Sequence, residues 1–368
     1  MLQAIQNARE SVRLETYIYG DDSVGIRFRA ALVEAAQRGC EVRVMVDGLG
    51  SLSLSNRFWD PLRAAGGRMQ FFNPAVAVHR LGIRDHRKML VLDEQIAFVG
   101  GFNIAKQYEG DGITCGWCDI GLQVEGPLAR QLATAFDETF GRANATERFA
   151  RVRKAVSKRT VQSKSEQLLL SGPGRGRNPI KRALRADLAH AKDVRLVSAY
   201  FLPTWRLRRD LSRVARNGGS VQFILAGKSD VRVSQLAGQS LYRRFLRAGV
   251  RIFEYQPQIL HAKLIIIDDA VYVGSANIDH RSLNINYELL IRFNNPEFAA
   301  KAREIFECSK KHCQQITRED WRKKRTLWTR LKQRLAYFLL VRIDPWIAWQ
   351  QWRVFGMSKL KTARKSVA

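Results

Sequence analysis

The amino-acid sequence predicts an α/β protein built twice over. Two α-β-α sandwich domains would face each other as a pseudo-dimer within one chain. Three observations point to this. Strand-like and helix-like segments alternate, as in sheets covered by helices on both faces. The strand-like runs Met89–Leu92 and Leu264–Ile267 are apolar throughout, as in strands buried on both sides. Finally, five blocks recur in the same order in both halves, offset by 175–183 residues.

The first block is VRLETYIYG at 12–20 against VRLVSAYFL at 194–202, each after a helical-looking stretch. Helix-like segments follow at 25–38 and 205–216. Buried-strand patterns come next, EVRVMVDG at 41–48 and SVQFILAG at 220–227. RMQFFNP (68–74) then matches RIFEYQP (251–257). The last pair is DHRKMLVLDEQIAFVGGFN (85–103) and LHAKLIIIDDAVYVGSAN (260–277), which share polar residues as well as apolar ones. Shared polar residues in an ordered series set this apart from the short apolar strands common to any two α/β domains. The halves differ by an eight-residue insertion within AVAVHRLGIR, which places His79, Arg80 and Arg84 beside the first motif.

Length and composition bound the rest. The chain has 368 residues, with 62 Lys and Arg against 34 Asp and Glu, a formal charge of +28. Its 46% hydrophobic content is enough for packed cores and excludes general disorder. No apolar run reaches the roughly 18 residues of a membrane-spanning helix. The opening MLQAIQNARESVRLE lacks the apolar stretch of a signal peptide. Five cysteines are odd in number and too few for a disulfide scaffold, which fits a reducing compartment. The charge implies an anionic partner. Residues 142–182 carry 12 basic and two acidic residues, and residues 301–368 carry 18 and five. The organisation expected is a first domain over 1–145, a basic linker over 146–166, a second domain over 167–310 and a basic aromatic tail over 311–368.

Each half holds His-x-Lys-x4-Asp: His86, Lys88 and Asp93, then His261, Lys263 and Asp268. On a strand, residues two apart project to the same face, so imidazole and ammonium together make a site for an anion. A small-residue turn with Asn follows each motif, Gly100-Gly101-Phe102-Asn103 and Gly274-Ser275-Ala276-Asn277. Glycine admits a ligand close to the backbone, and an Asn amide can donate to a phosphate oxygen. The second turn, one residue shorter from Asp to Gly, should be the tighter.

These paired motifs resemble the HxKxxxxD and GGxN or GSxN signature of the phospholipase D superfamily. RLETYIYGDD, VRVMVDGLGS, FFNP and RDHRKMLVLDEQIAFVGGFNIA look like its bacterial cardiolipin synthase branch. The resemblance covers roughly residues 1–300 and implies two phospholipase D-like domains. Relatives usually have a strand before the opening helix, so the first half is expected to lack an edge strand or to have a shortened start.

The resemblance implies a two-step phosphatidyl transfer. One histidine attacks phosphorus and the other protonates the leaving alcohol, then deprotonates the acceptor, and two inversions give retention; His86 is taken as nucleophile and His261 as acid and base, although the duplication makes the roles nearly symmetric. Lys88, Lys263, Asn103 and Asn277, with Ser275, would steady the phosphate oxygens. Asp119 and Glu288, each expected within a strand, would fix the imidazole tautomers. Asp93 and Asp268 complete the catalytic motif, bracing it rather than moving protons. No metal and no cofactor is expected, since two lysines supply the cationic charge.

Other features carry less. Cys115-Gly116-Trp117-Cys118 has the redox spacing, but a strand pattern follows it where a redox site needs a helix. Cys308, Cys313 and His312 match no zinc pattern. His190 and His280 are expected at the surface or behind the site. The tail segment LAYFLLVRIDPWIAWQQWRVF at 335–355 is interrupted by Arg342, Asp344 and Pro345, so it should lie in a membrane interface rather than cross. The leading expectation is a cardiolipin synthase acting on phosphatidylglycerol, an anionic phospholipid, as a peripheral protein on the cytoplasmic side of the cell inner membrane. A phospholipase D using water or another alcohol, or a nucleic-acid phosphodiesterase of the same superfamily, are the competing readings. Nucleic acid is disfavoured because most of the charge lies outside the motifs.

Overall fold

A computed structural model describes residues 1–73, 82–143, 158–163, 166–173, 176–323 and 325–344. The first half is a six-stranded sheet: β1 (Ser11–Thr16), β2 (Glu41–Asp47), β3 (Arg68–Phe72), β4 (Met89–Leu92), β5 (Ile96–Gly100) and β6 (Gly121–Glu125). Their order is β3-β2-β1-β4-β5-β6. The first three pair in parallel, and β4 to β6 join antiparallel.

The second half holds β7 (Arg159–Ser163), β8 (Glu166–Ser171), β9 (Asp193–Ser198), β10 (Ser220–Ala226), β11 (Arg251–Tyr255), β12 (Lys263–Ile267), β13 (Ala270–Gly274), β14 (Glu288–Asn294) and β15 (Cys313–Ile316). Its order is β15-β11-β10-β9-β12-β13-β14-β8-β7. The inner run β11-β10-β9-β12-β13-β14 repeats the first sheet strand for strand. Among the described residues, the first sheet has no counterpart of β8. The hairpin after β4 spans three residues, since Leu92 pairs with Ile96, while that after β12 spans two, Ile267 with Ala270. The second turn is the tighter one, as expected.

Alternation along the strands sorts side chains to two faces. In the first sheet Val12, Leu14, Val44 and Leu90 pack beneath α1 (Ser23–Gln37). Met89 and Val91 point the other way, onto α2 (Pro127–Ala143) and onto Leu168, Leu170, Leu289 and Ile291 of the second sheet. The second sheet packs Val221, Phe223 and Ile265 with α3 (Trp205–Arg216), and Ile224, Leu264 and Val271 with α4 (Pro296–Lys310). The halves share one apolar seam, so neither sheet is covered without the other.

Two expected boundaries differ. β7 lies within the span read as linker, because Val161 packs on the seam and Arg159 reaches Glu138 at 2.6 Å. β15 lies within the span read as tail and adds an antiparallel edge to β11. Residues 146–157 and 164–165 of the linker lie outside the described residues.

Beneath the first motif is a buried ionic network. Arg87 meets Glu15 at 2.7 Å, Asp85 at 3.0 Å and the Thr139 hydroxyl at 2.8 Å, with all four groups buried. Removing one partner from such a network leaves charge uncompensated in a dry interior. Arg87→Met is therefore expected to destabilise the fold by about 3–5 kcal/mol, read as a lower urea midpoint. An unchanged midpoint would show that the network is not structural.

Candidate active site

The segment before each motif crosses to the opposite half. The His86 amide donates to the Tyr287 carbonyl at 3.0 Å, and the Tyr287 amide donates to the Arg84 carbonyl at 2.9 Å. On the other side, the His261 amide donates to the Cys118 carbonyl at 2.7 Å, and the Cys118 amide to the Ile259 carbonyl at 2.9 Å. These short parallel bridges, Asp85 with Tyr287 and Cys118 with Leu260, are related by the duplication. Each sets a histidine beside the residue that follows its bridge partner, which is an acid of the other half.

The result is a crossed pairing. His86 Nδ1 lies 3.0 and 3.1 Å from the two Glu288 carboxylate oxygens. His261 Nδ1 lies 2.6 Å from Asp119 Oδ2. With Nδ1 donating, each imidazole keeps its Nε2 lone pair. Glu288 opens β14, but Asp119 falls two residues before β6 rather than within a strand. The turns match the acids. A Cβ on Gly101 would come within 2.3 Å of Asp119 Oδ1, so glycine is what admits the carboxylate there. At the equivalent position the Ser275 hydroxyl donates to Glu288 Oε2 and accepts from the Leu289 amide at 3.1 Å. Ser275 therefore steadies an acid, where the sequence placed it with the phosphate-binding residues.

Both lysines are buried behind the histidines. Lys88 Nζ donates to the His86 carbonyl at 2.7 Å, and Lys263 Nζ donates to the His261 carbonyl and lies 3.3 Å from His261 Nε2. Burial lowers Lys88 to about 7, with the Lys263 charge adding to it and Glu288 opposing. Burial also lowers Lys263. Burial, with Lys263 beside it, takes His261 down to about 4. His86 is lowered by burial and Lys88 against the pull of Glu288. Desolvation, with like charge at Lys88 and the two histidines, disfavours the protonated forms.

His86, His261, Asn103 and Asn277 line one cavity of about 530 Å³, walled also by Tyr17, Tyr108, Tyr200, Arg84, Arg281 and Leu340 among others. The Asn103 side-chain carbonyl accepts from the Ile18 amide at 3.0 Å, and its amide donates to the Tyr108 hydroxyl at 2.6 Å. Asn277 Oδ1 is buried and has no partner among the described residues.

Asp93 and Asp268 are not in the cavity, which corrects their place in the catalytic set. Asp93 accepts from the Glu10 and Ser11 amides, both at 2.8 Å, at the start of β1. Asp268 accepts from the Asp193 amide at 2.8 Å at the start of β9. Both have positive φ, 51° and 48°, and turn the chain between strands while tying the turn to the neighbouring strand. They brace the motif from its far end. Cys118 serves the backbone bridge beside His261, and Cys115 is exposed, with both thiols free. His190 is exposed; His280 is half-buried at the cavity wall. His79 and Arg80 lie outside the described residues. Arg84 is buried, 3.2 Å from Asp47. Tyr17 and Tyr108, whose rings lie 5.1 Å from His86 and 5.2 Å from His261, were missed in the sequence. Tyr17 lies within the first duplicated block, which could have signalled it, whereas Tyr108 lies outside the blocks.

Comparison with known proteins agrees with this geometry. The domain family described as cardiolipin synthase, phospholipase D-like domain, matches residues 1–139 and 184–309. Cardiolipin synthase B of Salmonella typhi is 31% identical over 359 residues, covering 95% of this chain and 86% of that protein. Cardiolipin synthase 1 of Bacillus anthracis is 32% identical over 329 residues, covering 86% and 65%. The crystal structure of phosphatidylserine synthase from Haemophilus influenzae superposes with a TM-score of 0.74 at 14% identity, over 94% of this chain and 91% of that one, and so shares the fold. The chain belongs to the phospholipase D superfamily, in the cardiolipin synthase domain family.

The lowered lysines set a pH dependence. A lysine is cationic below its pKa, so anion affinity is present there and lost as pH rises through it. With Lys88 at about 7, affinity for dimethyl phosphate, which does not itself titrate in this range, is expected to fall between about pH 6 and about pH 8. Calorimetric titration reads this directly. Affinity that stays flat across the range would refute the buried-lysine account.

Proposed function

As a phosphatidyltransferase of the phospholipase D superfamily, this chain, we propose, is a cardiolipin synthase. It moves a phosphatidyl group from one phosphatidylglycerol to a hydroxyl of another and releases glycerol. The observation that carries the reading is the pair of imidazoles in one cavity, each with Nδ1 held by an acid of the opposite half. Relatives named cardiolipin synthase, aligned over 95% of the chain, support it. A phospholipase D using water would need the same site, and nothing in the cavity favours it.

His86 Nε2 attacks phosphorus, forming a P–N bond as the P–O bond to glycerol breaks. His261 gives the departing oxygen its proton. The acceptor hydroxyl then loses its proton to His261 and attacks phosphorus, breaking the P–N bond and returning His86. A bound phosphodiester sets negative charge beside Lys88, Lys263 and His261. That charge raises the lysines and His261 toward their protonated forms, which is what the acid role requires. Lys88 and Lys263 then hold the nonbridging oxygens, and Asn277 is placed at the same cavity wall to donate to them.

The same reading places the protein on the cytoplasmic face of the inner membrane. Its five cysteines are all unpaired, which suits a reducing compartment. No helix of the described residues is long and apolar enough to cross a membrane. Helix α5 (Leu327–Phe338) begins earlier than the interface segment expected at 335–355, and its last turn continues through Leu339–Ile343. One side packs on the body through Ala336, Tyr337, Leu340 and Val341. The other exposes Leu327, Trp328, Leu331, Leu335 and Phe338, each more than half accessible. Arg330, Lys332 and Arg334 flank this stripe. An apolar stripe edged with cations suits an anionic bilayer surface. Residues 345–355, with Trp346, Trp349 and Trp352, lie outside the described residues.

His86→Ala and His261→Ala are each expected to lower transfer about 10²–10⁴-fold. With a donor carrying a p-nitrophenyl leaving group, which needs no acid, His261→Ala should accumulate phosphohistidine at His86, detected by mass spectrometry; His86→Ala should form none. Phosphorylation at His261 instead would reverse the roles. The double variant Leu331→Glu, Leu335→Glu should lose sedimentation with phosphatidylglycerol vesicles yet turn over a soluble short-chain donor. Unaltered sedimentation would remove this face from the reading.

A further inference from the structure

The duplication lets the cavity walls be compared position by position. Thr16 and Ser198 are equivalent, for each hydroxyl donates to the carbonyl two residues on, Thr16 to Ile18 at 3.0 Å and Ser198 to Tyr200 at 2.8 Å. Ile18 and Tyr200 therefore hold the same place in the two halves, and both line the cavity. The loops after β2 and β10 compare likewise. Four residues past the end of β2 stands Ser51, buried, whose hydroxyl accepts from the Tyr19 amide at 2.9 Å and donates to the Tyr17 carbonyl at 3.1 Å. Four residues past the end of β10 stands Asp230, which lines the cavity and accepts from the Tyr200 hydroxyl at 2.8 and 2.7 Å. Leu49 lines the first-half wall and Ser234 the second. At matched positions an isoleucine, Ile18, corresponds to the tyrosine Tyr200, and the buried serine Ser51 corresponds to a carboxylate, Asp230, that lines the cavity.

A carboxylate at the wall of a cavity that must hold a phosphodiester works against the phosphate by charge. Its use lies with the neutral part of the substrate. A carboxylate offers about four acceptor positions, and the Tyr200 hydroxyl occupies part of them. The remainder, with the Tyr200 and Ser234 oxygens, can accept from the hydroxyls of a polyol. Burial and the Asp230 charge hold Tyr200 in its protonated form, so it stays a fixed donor to the carboxylate.

We infer that Tyr200 and Asp230 form the subsite for the polyol headgroup, binding glycerol as it leaves and the glycerol end of the acceptor lipid as it enters. The inference rests on the transferase reading above and adds the specificity element to it. Its mechanistic consequence is directional. In an in-line displacement the alcohol stands opposite the attacking nitrogen. The Tyr200 ring lies 6.5 Å from that of His261. A polyol on this wall is therefore served by His261 as acid and base, leaving His86 to bond phosphorus.

The test is a competition. The full chain is given vesicles of phosphatidyl-p-nitrophenol with glycerol and methanol together, and the ratio of phosphatidylglycerol to phosphatidylmethanol is read by mass spectrometry. A site built to bind several hydroxyls favours glycerol, and Asp230→Asn should lower the ratio at least about tenfold, with Tyr200→Phe moving it the same way. A ratio within about twofold of the wild type in Asp230→Asn overturns the subsite. The ratio reports only which acceptor is captured, so a variant with a reduced folded fraction still gives the answer. Wild-type protein that yields neither lipid overturns the transferase reading itself.

Discussion

The crossed contact between each imidazole and a carboxylate of the opposite half is the constraint on which this molecule depends. Glu288 has almost no access to water and Asp119 little more. A buried acid needs a partner or loses its charge. Each finds that partner only when the two sheets are docked, because the bridges at Tyr287 and Cys118 span the halves. The apolar seam of Met89, Val91, Leu168 and Leu289 supplies the drive for docking, and the bridges set its register. The site is thus complete only in the docked molecule.

The same burial that fixes the tautomers leaves the two ammonium groups poorly solvated and close to each other's field. Stability is given up at this point, since two lysines and two histidines are taken out of water together. The structure tolerates this because the rest of each half is conventional, with apolar strands under amphipathic helices. An anion bound beside these groups would favour their charged forms.

Much of this was legible beforehand. Repetition of whole blocks made the fold class legible, because strands buried on both faces leave an apolar signature; the strand order came only with the structure. His86, Lys88, His261 and Lys263 were legible because their alternation on a strand is a local property. The crossing was not: which acid faces which imidazole depends on how two sheets dock, and spacing along the chain suggests the nearer, wrong partner. Asp93 and Asp268, grouped with the catalytic motif but read as braces, do brace it, from outside the cavity. β7 and β15 were hidden because both are short and mostly polar, RTVQS with Val161 on the seam and CQQI with Ile316 buried. Tyr200 was overlooked because a tyrosine in a β-rich run reads as packing until its neighbour Asp230 is brought up from another loop.

The fit between turn and acid carries a last consequence, for how such a chain can change over generations. Glycine at 101 leaves room for Asp119, while serine at 275 holds Glu288 by a hydroxyl. A side chain at the first position collides with the acid, and a glycine at the second removes its support. Once the two halves had diverged in this way, substitutions at turn and acid had to travel together within each half. The two halves, though built to one plan, are no longer interchangeable parts.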